Sequence, residues 1–228
     1  MIGKLSDVYG RKLIFLVGLV LVVISSILAP LSPNLLVLLS MRSIQAIGTS
    51  ALFPAGVGII RSAIKQNQNR VIGTLAVFAT TTAAFGPTIA GMLIQFGGWP
   101  VIFYANLPIL AIGITLTILF VPKDKKDAEI SYKLDGLGII LFSSFIIFWM
   151  IFLLGLEQGV QIVPLILALI LTVSFYMYEK RKTEPFIDVN FFRKNLNVAF
   201  IFGPYILSTV IFFAVLLSFP TFMQVTLG

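Results

Sequence analysis

The sequence has no cysteine and no histidine. The first absence excludes disulfide frameworks and thiol nucleophiles, and the second excludes imidazole acid–base chemistry. Together they remove the usual zinc and haem ligand sets. Charge is scarce as well: 11% of residues are charged, where a soluble domain carries about 25%. The few acids avoid the apolar runs. Asp7, Asp124, Asp127, Glu129, Asp135, Glu157, Glu179, Glu184 and Asp188 all fall between such runs or at their ends. With no imidazole, thiol or carboxylate inside an apolar segment, no nucleophile–base pair can be assembled. The chain is therefore not expected to be an enzyme, and no catalytic residue, metal site or cofactor is assigned.

What is present is hydrophobic residue in long runs. The 228 residues are 58% hydrophobic, with a mean hydropathy of +1.04, which excludes a soluble globular domain. A membrane span needs about 20 apolar residues. Seven stretches of that order are readable, at about 13–31, 35–60, 71–96, 100–122, 136–156, 162–178 and 198–222. Turn chemistry separates them, as in Pro30-Leu31-Ser32-Pro33-Asn34 and Gly97-Gly98-Trp99-Pro100. Lipid offers no partner for backbone N–H and C=O groups, so each span must be a helix. The expected fold class is all-α: a polytopic membrane protein with about seven transmembrane helices.

The net charge is +7, which in a soluble chain would raise nucleic acid as a partner. Its distribution gives another reading. Every Lys and Arg except Arg42 lies in alternate loops: Lys4 to Lys12, Arg61 to Arg70, Lys123 to Lys133, and Lys180 to Lys194. The intervening loops have none. The basicity is thus a topology signal, with the N-terminus expected in the cytoplasm and the C-terminus outside. The bilayer is an expected partner and nucleic acid is not.

Arg42 stands alone inside the second span, eight residues from Asn34, roughly 12 Å below the outer end of a helix. An intramembrane Arg costs roughly 2.5–3.5 kcal/mol on lenient scales, so it should face a cavity or a partner. Gln45 and Thr49 share its helix face. The alternative is a snorkelling side chain or a structural hydrogen-bond post. The third span repeats small residues, Gly73, Ala76, Ala79, Ala83, Gly86, Ala90 and Gly91, with Pro87 inside it. Such spacing favours a tight helix–helix seam with a kink. At the N-terminus Gly3 and Gly10 frame a tight turn, and Asp7 can either pair with Arg11 or cap the first helix. Trp99, Tyr104, Tyr176 and Tyr178 read as interfacial anchors, and Trp149, lying deeper, as a residue facing a neighbouring helix. Residues 179–197 form the longest loop, either a short interfacial helix or a plain tether.

These features also form a known set. Gly3-Lys4-Leu5-Ser6-Asp7-x-x-Gly10-Arg11-Lys12 resembles the loop motif between the second and third helices of the major facilitator superfamily. Arg42-x-x-Gln45-x-x-Gly48 resembles its fourth-helix motif, with Ala46 in place of a glycine. Gly73, Gly86, Pro87 and Gly91 match its fifth-helix antiporter motif, from which Thr82 and Ala90 depart. The two extra spans after the sixth family helix are similar to the fourteen-helix drug:proton antiporter branch. The resemblance covers essentially the whole chain but only about half of a family member: the first two helices and the last five are absent.

The resemblance implies a partial fold of this superfamily. Residues 1–122 would be family helices three to six of the N-terminal bundle. Residues 123–182 would be the two extra linker helices, and 183–228 an interfacial loop with the first helix of the C-terminal bundle. It implies proton-coupled efflux of amphipathic small molecules across the plasma membrane, with drugs or amphipathic cations and protons as partners. Arg42 and Gln45 would serve proton or substrate coupling. Gly3, Asp7, Gly10, Arg11 and Lys12 would form a cytoplasmic gating motif, and Gly73, Gly86, Pro87 and Gly91 the antiporter motif. A chain lacking those helices is expected not to transport alone, and the missing helices, supplied as a separate chain, are a further expected partner. The alternatives are a non-transporting membrane fragment of a truncated or split gene, and an uptake symporter of the same superfamily.

Overall fold

The computed structural model describes residues 6, 9–122, 135–182, 191 and 195–227. Among them there are seven long helices and no strand. They are α1 Arg11–Leu28, α2 Leu35–Ala63, α3 Gln68–Gly97, α4 Pro100–Phe120, α5 Gly136–Gly155, α6 Ile162–Arg181 and α7 Leu196–Leu227. The first six are long and apolar enough to cross a membrane, and α7 holds an apolar core at Phe200–Leu216. The all-α polytopic expectation holds, and helix ends fall within a few residues of those read from hydropathy. Glu179, Lys180 and Arg181 are the exception: they continue α6 instead of opening a loop. Most of the remaining 179–197 segment lies outside the described residues.

Local chemistry sets the helix ends. The Asn34 side chain accepts from the Val37 N–H at 2.9 Å and caps α2. Pro100 opens α4 at its first position, where a missing N–H costs nothing. Gly98, at φ 73, turns the chain between α3 and α4 as few residues other than glycine can. Helices α2, α3 and α4 run through Pro54, Pro87 and Pro108 without interruption.

The chain divides into two units, residues 1–132 and 133–228. In the first, α1 packs against both α2 and α4. Leu19 and Val22 of α1 meet Leu110 of α4, with Phe15, Val23, Leu52 and Ile114 around them. Lipid is as apolar as this core, so packing must come from close approach rather than from escape from water. Small residues supply it along α2, where Gly48, Ala51 and Ala55 are buried and Gly58 follows one turn on. At the crossing, a Cβ on Gly18 would lie 2.8 Å from the Gly48 carbonyl oxygen, and a Cβ on Gly48 would lie 2.8 Å from that of Gly18. No residue of α3 is buried, and nothing lies within 4 Å of where a Cβ would stand on Gly73, Gly86 or Gly91. Among the described residues the tight seam expected on α3 is therefore carried by α2.

In the second unit α5 and α6 form a hairpin. Phe142 and Phe145 of α5 meet Phe175 of α6, at 5.5 and 5.8 Å between ring centroids. Trp149 donates its indole N–H to Thr172 Oγ1 at 3.1 Å, so it does face a neighbouring helix.

Candidate functional site

Three helices of the first unit converge on Arg42. Its Nη1 donates to Gln45 Oε1, one turn along α2, at 2.8 Å. The Gln45 amide nitrogen in turn donates to Ser26 Oγ of α1 at 3.4 Å. The guanidinium carbon stands 4.4 Å from the ring centroid of Phe103 on α4, and that ring is buried and held edge-on by Trp99 at 5.9 Å. A cation over an aromatic face gains about 0.5–2 kcal/mol, more as water is excluded. The i, i+3 spacing of Arg42 and Gln45 is enough to foresee their bond. Ser26 and Phe103 belong to other helices, and nothing local in the sequence marks them.

Among the described residues of its unit this arrangement orients the guanidinium without a carboxylate to neutralise it. Residues 9–122 contain no aspartate or glutamate. Arg42 is exposed at the surface of its unit, so its charge remains available to an anionic partner. Thr49, on the same face, turns its hydroxyl back to the carbonyls of Gln45 and Ala46.

At the other end of α1 the motif residues act on helix termini. Gly3 and Asp7 lie outside the described residues. Gly10 precedes α1 with φ 102, a left-handed backbone that glycine tolerates. Arg11 Nη1 donates to the Gly58 carbonyl at 2.8 Å, and its Cδ occupies the space a Gly58 Cβ would need. Lys12 Nζ donates to the carbonyls of Ile118, at 3.0 Å, and Val121 at the C-terminal end of α4. Ammonium groups are favoured there because the last carbonyls of a helix have no partner and carry partial negative charge. The two adjacent cations thus tie α1 to α2 and to α4.

A third polar cluster closes the α5–α6 hairpin. Asp135 caps α5, accepting at Oδ1 from the Gly138 N–H at 3.1 Å, the Tyr178 hydroxyl at 2.8 Å and Lys182 Nζ at 2.6 Å. Burial pushes the Asp135 carboxyl up, but hydrogen bonds from Lys182, Gly138 and Tyr178, with the ammonium's charge, outweigh it and hold it below the usual carboxylate value. Lys182 is held above the ordinary ammonium value by its hydrogen bonds to Asp135 and then to Tyr178. Glu179, fully buried in the last turn of α6, brings Oε1 to 2.6 Å from where a Gly138 Cβ would stand, and Asp135 Oδ2 comes equally close. Glycine at 138 leaves room for both carboxylates. Tyr178 is therefore part of a helix latch rather than a plain interfacial anchor.

Comparison with known proteins adds a frame. The family profile described as Major Facilitator Superfamily matches residues 1–228. The uncharacterized MFS-type transporter YwoD of Bacillus subtilis is 40% identical over 226 residues, covering 97% of this chain and 50% of YwoD. The riboflavin transporter RibZ of Clostridioides difficile is 34% identical over 88% of this chain and 44% of its own length. The multidrug efflux pump SdrM of Staphylococcus aureus is 26% identical over the whole chain and 51% of its own length. The chain spans about half the length of the curated relatives it matches.

Proposed function

This chain belongs to the major facilitator superfamily, and on that premise we propose that it is the central half of a proton-coupled exporter of amphipathic small molecules. It is a multi-pass membrane protein of a transporter family. In the proposed assembly, residues 1–122 are part of the first helix bundle, 123–182 add two linker helices, and 183–228 begin the second bundle. The spanning helices sit in the plasma membrane with the N-terminus in the cytoplasm and the C-terminus outside, as the alternation of basic loops favours. Transport proceeds by rocking of the two bundles around a central site. The similarity to SdrM, a multidrug efflux pump, and the matches at Gly73, Gly86, Pro87 and Gly91 support export.

One observation carries the coupling role. Arg42 is fixed by Gln45 and Phe103, yet no carboxylate stands among the described residues of its unit. A carboxylate on a helix outside this chain would pair with it in one state of the transporter. The pair would hold that carboxyl ionised, and separation would let it take up a proton. Gln45 keeps the guanidinium aimed in both states. In the proposed gating motif, Arg11 and Lys12 hold the cytoplasmic ends of α1, α2 and α4 together in one of those states, with Gly3, Asp7 and Gly10 shaping the turn before them.

The test uses the complete transporter. Arg42→Ala should abolish proton-driven drug efflux from energised vesicles while leaving membrane insertion intact. Arg42→Lys, which keeps the charge but loses the planar fork, should retain part of it. Full efflux in the alanine variant would sink the coupling role. The similarity to RibZ favours a second reading, a transporter of an aromatic metabolite rather than of drugs. Riboflavin flux without drug resistance would select it.

A further inference from the structure

The cations of the first unit fall into two sets. Arg11, Lys12 and Arg42 each have protein partners. Arg61, Lys65 and Arg70 are exposed, and their charged groups have no partner among the described residues. All three surround the short turn between α2 and α3. The turn is built rather than slack. Gln68 Nε2 donates to the carbonyls of Arg61, at 3.1 Å, and Ile64, at 2.6 Å, so the end of α2 is capped by a neutral amide instead of by one of the nearby cations. Asn67 takes the left-handed conformation at φ 58, which asparagine tolerates. Lys65, Asn67, Gln68, Asn69 and Arg70 line a shallow hollow of about 420 Å³.

Position identifies the occupant. The turn joins two helices that are each long and apolar enough to cross a membrane, and a turn between two spanning helices lies at the level of the lipid headgroups. No acidic side chain in residues 9–122 competes for the cations. We propose that this turn is a binding site for the headgroup of an anionic phospholipid. The phosphate would sit between Lys65 and Arg70, with Arg61 below it on the last turn of α2. Asn67 and Asn69 offer neutral donors for the glycerol part. The proposal is independent of what the transporter carries.

Each Lys or Arg at an anionic membrane surface adds about a fivefold preference, so three together give on the order of a hundredfold at low salt, falling as salt screens them. The experiment measures lipid retention by native mass spectrometry on the intact chain. The probes are dioleoyl phosphatidylglycerol and dioleoyl phosphatidylcholine, with inorganic phosphate alone as a separate arm. The expected result is strong preference for phosphatidylglycerol, lost by about tenfold or more in Arg61→Gln/Lys65→Gln/Arg70→Gln. The charge-matched variant Lys123→Gln/Lys125→Gln/Lys126→Gln, in another basic loop of the same face, should lose markedly less than the variant at the turn. Circular dichroism confirms that each variant is helical, and the single variant Arg70→Gln, with a smaller loss in the same direction, replaces the triple variant should that fail to fold. Unchanged preference in the variants at the turn would overturn the proposal. So would equal loss in the control, which would reduce the effect to net charge, or inorganic phosphate binding as tightly as the lipid.

Discussion

Asp135 and Lys182 are the pair whose ionisation the hairpin uses most directly. Asp135 has its folded pKa lowered, so its contribution to stability is full above the unfolded value of about 3.9 and is lost as pH falls through the folded value. Lys182 has its folded pKa raised. Its contribution is full below the unfolded value of about 10.4 and is lost as pH rises through the folded value. Between those limits the latch is intact. Melting of the chain in detergent should therefore show a wild-type advantage over Asp135→Asn and over Lys182→Met that is flat through neutral pH. That advantage should vanish at both extremes. An advantage that persists in strong acid would mean that the carboxylate is not what Lys182 holds.

Among the helices, α2 and α3 carry similar stretches of small residues and behave differently. On α2 a Cβ at Gly48 would meet backbone, which cannot yield as a flexible side chain does. Gly48→Ala should cost about 1–3 kcal/mol, the usual range for overpacking. On α3 the space beside Gly73 and Gly91 is open, so Gly73→Ala and Gly91→Ala should cost this chain nothing and, by helix propensity, add up to about 1 kcal/mol. Thermal unfolding of the three variants side by side checks the contrast. A destabilised Gly91→Ala variant would place a packing partner beside α3. Any packing role of the α3 glycines thus lies in contacts beyond the described residues of this unit. Spacing alone could not tell the two helices apart, because small residues permit close approach and do not say which neighbour arrives. Helix ends were legible for the opposite reason: Asn34, Gly98 and Pro100 act on their own backbone. Gln45 was legible from its register with Arg42, whereas Ser26 and Phe103 reach that site only through the packing of α1 and α4. The link of Asp135 to Tyr178 and Lys182 likewise depends on two helix ends meeting across the hairpin, which no local pattern encodes.

For the molecule as a whole, the lack of native cysteine makes the proposed orientation directly measurable. Single cysteines at Ser32 and Val160 should react with a membrane-impermeant maleimide in intact cells, and single cysteines at Asn69 and Lys126 only after the membrane is opened. Reaction of all four in intact cells, or the reverse pattern, would overturn the cytoplasmic placement of the basic loops. The same assay on the complete transporter asks whether Asn69 becomes shielded by lipid, which links orientation to the headgroup site. At this level the number of apolar helices was legible from hydropathy, and the orientation, a reading of charge alternation that needs no knowledge of packing, is what the assay tests. The proposed relation of Arg42 to helices outside the chain rests on the lack of an acid in residues 9–122.

The crossing of α1 and α2 has an evolutionary consequence. At Gly18 and Gly48 each backbone carbonyl fills the volume that the other residue's side chain would take. Enlarging one position cannot be relieved by shrinking the other, because neither has anything left to lose. Covariation therefore has no route between them. In a saturation mutagenesis library selected for folding, the two positions should each stay glycine without correlated exchange, as two independent fixed points around which the rest of the α1–α2 interface is free to drift.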